Sequence, residues 1–321
     1  MKYGPLKLLA GSSNPEFAGK LAGSIGVELG RLRLKHFADG EVYAEVRDNV
    51  RGRDVFIIQS TCSPVNEHLM ELLVLMDAVK RASADRVTVV LPYYGYARQD
   101  RKVTPRTPIS AKLVADLLQV AGADRILSLD LHAGQIQGFF NIPVDNLYAS
   151  PAFIPELRKV VADHQAVIVS PDAGGVQRAR AYGKKLGAPI AMIDKRRDRP
   201  NEVAEMNIIG EVEGRFAVIV DDMVDTAGTL TKAAAAVRDA GATGVVAVCT
   251  HPVLSGPAVE RIGNSVLDSL VVSDSIPLRP DAQACGKIQV ASVGPLLGEA
   301  VRRIHTGDSV SVLFEDPEEE E

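Results

Sequence analysis

The chain has 321 residues, of which 46% are hydrophobic and 24% charged, and its formal net charge is −5. That length predicts two domains of ordinary size with buried cores. The acidic balance excludes the basic field of a nucleic-acid-binding surface, so no nucleic-acid partner is expected. Cys62, Cys249 and Cys285 are far apart with no metal-type spacing, which points to a reduced, cytoplasmic compartment. The early apolar run, Leu8 to Ala10, is too short for a signal-peptide core, and no stretch approaches the roughly 18 apolar residues of a membrane span.

Apolar, β-branched runs alternate with helical spacing along the chain. Strands are predicted near residues 6–10, 33–37, 55–59, 87–91 and 126–130, then near 166–170, 189–193, 216–220, 245–249 and 270–273. Leu69, Leu72, Leu73, Met76 and Val79 share one helix face, and Val114, Leu117 and Leu118 suggest the next helix. Short, continuous apolar strands alternating with helices predict an α/β protein: two similar domains, each a mainly parallel sheet flanked by helices. The division is expected at residues 1–148 and 149–307, near Tyr148–Pro155. Pro151 and Pro155 there fit either a linker or a helix start. Residues 315–321 form an acidic tail and are expected to be disordered.

Polar residues cluster after the strands, where open α/β sheets bind ligands. The most informative cluster is Val218–Val220 followed by Asp221 and Asp222, then Asp225, Thr226, Ala227, Gly228 and Thr229 opening a helix. A small-residue loop at a helix start offers backbone N–H groups and the positive end of the dipole, a phosphate cradle. Thr226 and Thr229 add hydroxyl donors. Two carboxylates beside that phosphate suit sugar hydroxyls, and phosphate with diol describes ribose 5-phosphate. Ala227 leaves room for a phosphate as glycine would. The stretch from Gly11 to Lys20 does not fit the G-x-x-x-x-G-K-[ST] spacing, because Asn14 and Leu21 stand at key positions.

Three other loops carry chemistry. Lys195, Arg196, Arg197 and Arg199 follow a strand, and phosphoryl transfer needs cations at the reacting centre. Arg98 and Gln99 lie in the loop after 87–91, where an arginine forks well onto phosphate. Phe37, Asp39 and Glu41 belong to F-x-D-G-E, by itself a tight turn between strands. His132 and Asp172 end two further strands.

The segment V-D-D-M-x-D-T-x-G-T resembles the ribose-phosphate-binding signature of phosphoribosyltransferases and ribose-phosphate pyrophosphokinases. With the KRR, ARQD and F-x-D-G-E loops and stretches such as GSSNPEFA and CTHPVLSG, the whole chain resembles the ribose-phosphate pyrophosphokinase family. That resemblance implies phosphoribosyltransferase-like domains and transfer of diphosphate from ATP to the anomeric hydroxyl of ribose 5-phosphate. It implies Lys195 and Arg197 as catalytic, and Phe37, Asp39, Glu41, Arg98 and Gln99 as ATP-binding. Asp221, Asp222 and Asp225–Thr229 would hold the sugar phosphate, and His132 and Asp172 would hold Mg2+. Residues 308–314 resemble a family strand returning to the first domain. The family also implies a homo-oligomer, a hexamer, with phosphate and ADP as effectors; Arg51, Arg106, Ser309, Ser311 and Phe314 are the allosteric candidates. Asn141 stands where relatives commonly carry aspartate, which puts a cation or effector role there in doubt. Two alternatives remain: a phosphoribosyltransferase consuming the product, and a silent regulatory subunit, which would have lost its catalytic residues.

Overall fold

The computed structural model describes residues 3–196 and 205–313, with the backbone alone at Lys195, Arg196 and Glu205. Arg197, Phe314 and the acidic tail at 315–321 lie outside the described residues. The chain divides into two units.

The first unit begins with β1 (Leu6–Ala10) and α1 (Pro15–Ser24), where the Asn14 side chain accepts a hydrogen bond from the Phe17 N–H as an N-cap. β2 (Leu32–His36) and β3 (Val42–Val46) follow as an antiparallel hairpin outside the main sheet. β4 (Asp54–Ile58), α2 (Val65–Arg81), β5 (Arg86–Leu91), α3 (Ser110–Val120), β6 (Arg125–Leu129) and β7 (Val144–Leu147) complete its main run. The sheet is five-stranded and parallel, in the order β1-β4-β5-β6-β7. Leu29 bridges to Leu8 on the other side of β1, so the chain leaves β1 in one direction and resumes at β4 in the other. Leu9, Val55, Ile57, Val87 and Val89 meet Leu72, Leu75, Met76 and Val79 of α2 and Val114 and Leu118 of α3 in one core. Leu117, which belongs to the spacing that suggests α3, is 38% exposed on that helix.

The second unit starts with α4 (Ser150–Val161), with Pro151 in its first turn and Pro155 inside it, so the helix-start alternative holds over the linker. It continues with β8 (Ala166–Ser170), α5 (Val176–Leu186), β9 (Ile190–Arg196), β10 (Glu205–Ile209), β11 (Phe216–Val224), α6 (Gly228–Asp239) and β12 (Gly244–Pro252). Then come α7 (Ala258–Gly263), β13 (Ser269–Ser273), the single turn α8 (Pro280–Gln283) and β14 (Ile288–Ala291). The sheet has seven strands in the order β10-β9-β8-β11-β12-β13-β14, parallel except for β10. Strand order reverses between β8 and β11, and their carboxyl ends are the expected ligand crevice.

The chain then returns to the first unit earlier than the sequence suggests. α9 (Gly294–Thr306) was expected within the second domain, but it packs on α1. A Cβ on Gly298 would fall 2.2 Å from Ser24 Oγ and 3.1 Å from the Leu21 carbonyl, so the bare glycine permits that approach. Residues 308–313 form no strand. They end in one 3-10 turn, Ser311–Leu313, with the Leu313 N–H donating to the Val310 carbonyl. An i to i+3 bond satisfies that segment locally and needs no sheet edge.

The return is fastened by a buried ionic cluster. Asp54, fully buried, accepts two hydrogen bonds from Arg86 at 2.7 and 2.5 Å. Arg86 also donates to the Ile304 carbonyl at 3.1 Å, and His305 Nδ1 stands 2.8 Å from the Asp54 carboxylate. Removing one partner leaves the other charge buried and uncompensated. Asp54→Ala is therefore expected to lower unfolding free energy by about 3–5 kcal/mol, read from urea denaturation; a loss under about 1 kcal/mol, the scale of a surface pair, would mean the cluster does not anchor α9.

Candidate active site

β11 runs through both acids and ends at Val224, paired with β12 as far as Pro252. Asp222 is buried and Asp221 is half-buried; the Asp222 N–H donates to Asp221 Oδ1 at 2.9 Å. Arg178, on α5 after β8, lies 3.5 Å from Asp222 and 3.9 Å from Asp221. Burial and the neighbouring Asp222 charge push the Asp221 carboxyl up to about 8, with Arg178 opposing them. Two adjacent carboxylates cannot both ionise cheaply. Cys249 sits beside Asp221 on β12; its thiol is fully enclosed, and burial and the two carboxylates push it well up, so it is no nucleophile.

After the acids the chain turns through Asp225 and Thr226, and Ala227 takes the left-handed conformation with φ +59° before Gly228 opens α6. Ample space is thus not what distinguishes alanine from glycine here. A non-glycine residue in this conformation costs about 1–2 kcal/mol. The first α6 bond runs from the Thr231 N–H to the Ala227 carbonyl, and the preceding N–H groups have no carbonyl of their own helix to meet. Thr226 and Thr229 are exposed at this mouth. Asp172, also exposed, ends β8 at the same edge of the same sheet; its Oδ1 accepts the Gly175 N–H at 3.1 Å and shapes the turn into α5.

The corresponding crevice of the first unit, between β1 and β4, is already filled. Glu71, buried on α2, accepts from the Ser12 N–H at 2.7 Å and from Gln59 Nε2 at 2.8 Å. The Ser12 hydroxyl also donates to Glu71, and Gln59 Oε1 accepts the Ser13 N–H. An internal carboxylate thus takes up the donors of that loop.

The remaining first-unit candidates sit on separate loops. Arg98 and Gln99 follow β5; Gln99 accepts the Ser110 hydroxyl and bonds α3 through Ala111. His132 is exposed after β6. Phe37, Asp39 and Glu41 form the exposed tip of the β2–β3 hairpin, closed by the Phe37 N–H to the Glu41 carbonyl and by the Glu41 N–H to Asp39 Oδ1. Phe37 meets Tyr43 edge-on at 5.7 Å, and Lys35 lies over both rings. Arg51 precedes β4, and Arg106, with φ +65°, lies in the loop between β5 and α3. Ser309 and Ser311 follow α9. Lys195 lies on β9 opposite Met206. Asn141 donates its N–H to Gln119, and Asp145 pairs with Arg125.

Sequence spacing missed Arg178, Glu71 and Arg261, whose Nη1 donates to the Thr226 carbonyl at 2.9 Å. Arg178 is an ordinary helix residue by spacing, Glu71 interrupts an apolar helix face, and only the tertiary structure shows what each touches.

A helix start beside two carboxylates at the switch point of a mainly parallel sheet defines an α/β protein that binds its ligand outside the strand ends. Known sequences carry that further. The family model for the N-terminal domain of ribose phosphate pyrophosphokinase matches residues 6–122, and that for the phosphoribosyl synthetase-associated domain matches residues 197–315. A ribose-phosphate pyrophosphokinase of Ralstonia nicotianae is 55% identical over 96% of this chain and 98% of its own length. One from Oceanobacillus iheyensis is 54% identical over 98% of each chain. The crystal structure of phosphoribosylpyrophosphate synthetase from Mycobacterium smegmatis superposes with a TM-score of 0.90 at 40% identity, covering 94% of this chain and 99% of that one. The chain belongs to the ribose-phosphate pyrophosphokinase family.

The raised Asp221 carboxyl has a consequence for stability. Its folded value lies above the ordinary 3.8, so the folded protein binds more protons than the unfolded chain between those limits, and stability falls as pH rises through them. Asp221→Asn should flatten that fall: from about pH 5 to about pH 8 its thermal midpoint should drop less than that of the unaltered protein. Parallel curves would show that Asp221 titrates normally.

Proposed function

We propose that the protein transfers the diphosphoryl group of ATP to ribose 5-phosphate, giving phosphoribosyl pyrophosphate and AMP. The observation that carries this is the β11–α6 loop, an open helix start beside two carboxylates, in a chain matched end to end by ribose-phosphate pyrophosphokinases. The first turn of α6, with Thr226 and Thr229, holds the 5-phosphate; Asp221 and Asp222 accept from the ribose hydroxyls. The anomeric oxygen attacks the β-phosphorus, the bond from that phosphorus to the α–β bridging oxygen breaks, and AMP leaves with that oxygen. The hydroxyl proton is released.

Charge builds on the transferred group, and Lys195 and Arg197 are the cations proposed to stabilise it. Arg98 and Gln99, with Phe37, Asp39 and Glu41, place the nucleotide. Mg2+ is the proposed metal. Among the described residues no group of three or more His, Cys, Asp or Glu side chains is arranged to hold a metal. That suits an ion held by one or two protein groups plus substrate phosphates. Asp172, an exposed carboxylate, is the natural ligand, with His132 the second. The ion would neutralise phosphate charge.

No helix among the described residues is long and apolar enough to cross a membrane. The described cysteines are free thiols, which supports the cytoplasmic reading. A homo-oligomer, a hexamer by family, is supported by α3: Leu113, Leu117 and Val120, 59%, 38% and 87% exposed, form an i, i+4, i+7 apolar stripe left uncovered by the described residues. Phosphate and ADP are the proposed effectors. Arg51, Arg106, Ser309, Ser311 and Phe314 are the residues proposed to bind them.

Incubation with ATP, Mg2+ and ribose 5-phosphate tests the activity through AMP release. Lys195→Ala should lower turnover by about 10²–10³-fold with ATP affinity nearly kept; an equal loss of ATP affinity would make Lys195 a ground-state binder. The family resemblance implies that the F-x-D-G-E loop, here the exposed tip of a hairpin, reaches the nucleotide site of a second copy. Mixing Asp39→Ala/Glu41→Ala protein with Lys195→Ala protein, each nearly inactive, should restore activity in mixed oligomers counted by native mass spectrometry. A flat response across mixing ratios would place each site within one chain.

A further inference from the structure

We propose that Arg261 is a positioning residue for the sugar-phosphate loop, a latch that keeps the Thr226–Ala227 peptide turned with its N–H toward the ligand. This rests on the reading of residues 225–229 as the phosphate cradle. Three successive loop carbonyls are held from outside by the segment after β12. The Leu254 N–H donates to the Val224 carbonyl at 2.9 Å, and the Ser255 N–H to the Asp225 carbonyl at 3.0 Å. Arg261 Nη1 donates to the Thr226 carbonyl at 2.9 Å. The first two donors are backbone. The third is a side chain on α7, so the last peptide before the helix depends on one residue.

That peptide has a reason to turn over. A trans peptide points its C=O and N–H in opposite directions. With the Thr226 oxygen held by Arg261, the Ala227 N–H faces away from α7, toward the cradle. Ala227 pays for this with a left-handed backbone, φ +59°. Rotating the peptide by half a turn would carry Ala227 out of the left-handed region to negative φ. It would also aim the Thr226 oxygen at the phosphate and withdraw an N–H from it. Arg261 opposes that rotation. Its guanidinium also lies over Gly228: a Cβ there would stand 3.3 Å from Nη1, so glycine keeps the latch in reach. The rest of Arg261 borders an open cleft of about 450 Å³ with Thr231, Ala235, Pro257, Glu260 and Asn264. The latch is therefore solvent-exposed, and its effect is that of one hydrogen bond.

The test is calorimetric titration of ribose 5-phosphate into the intact protein, with ATP titrated separately. Arg261→Ala should weaken ribose 5-phosphate about five- to tenfold and leave ATP unchanged. Arg261→Lys, which keeps a donor and a charge, should lose less and serves if the alanine variant does not fold. The deciding variant is Ala227→Gly/Arg261→Ala. Glycine removes the strain that drives the rotation, so the double variant should regain most of the loss. Hydrogen exchange at residues 226–229 should be faster in Arg261→Ala and return toward normal in the double variant. An equal loss in both backgrounds would mean that Arg261 acts through charge or general stability, and the latch is wrong. Unchanged affinity in Arg261→Ala and Arg261→Lys overturns it too. Thr229→Ala separates the two readings: if it weakens ribose 5-phosphate while the Arg261 variants do not, the latch alone fails. If Thr229→Ala is also without effect, the cradle reading fails and takes the latch with it.

Discussion

The start of α6 sets the constraint on which the second unit depends. The first N–H groups of any helix lack partners within it, and here they follow directly on a strand that ends in two acids. Ala227 adopts an unfavourable backbone angle to bring Gly228 into the helix, and Val224, Asp225 and Thr226 have their carbonyls taken up by Leu254, Ser255 and Arg261. Donors and acceptors of one short loop are thereby sorted to opposite sides. A loop free to rotate its peptides would present carbonyls to a phosphate as readily as amides.

Charge is arranged around that loop in the same spirit. Asp221 and Asp222 stand side by side at the strand end, and Arg178 from α5 sits near both. The arginine keeps the pair from expelling each other, yet burial still leaves Asp221 protonated far above the ordinary carboxylate range. The first unit solves the equivalent problem with its own side chain. Glu71 takes the donors of Ser12 and Gln59, and the crevice between β1 and β4 becomes part of the core. Two units of related architecture thus differ at the switch point: the first fills it with its own carboxylate, and the second places a helix start there.

The first unit is also held by a long-range element. α9 arrives from beyond the second unit, lies on α1 where Gly298 admits it, and is fixed at its end by Asp54, Arg86 and His305. Nothing in the local sequence of residues 294–306 announces this. Its apolar face is amphipathic like that of any surface helix, and periodicity does not name the sheet it will cover.

The sequence by itself determined the α/β class, most of the strands and the strand–loop–helix form of residues 218–231, because period, β-branching and the D-D-x-x-D-T-x-G-T spacing are local properties read in one pass. Tertiary structure decided what depends on distant partners. The residues near 33–37 are extended as expected, but they pair with β3 in a separate antiparallel hairpin, a partner that their own alternation does not name. Residues 308–313 alternate weakly and still form a 3-10 turn, since alternation makes a strand only where an edge is open to pair. Leu117 belongs to the apolar spacing of α3 and is exposed, while Val114 and Leu118 beside it are buried. Ala227 looks interchangeable with glycine until its φ is known. Arg178, Glu71 and Arg261 have ordinary neighbours in sequence, and their roles arise from contacts across 44, 59 and 35 residues of chain. Partner identity at such separations is fixed by how the elements pack, which composition and spacing do not encode.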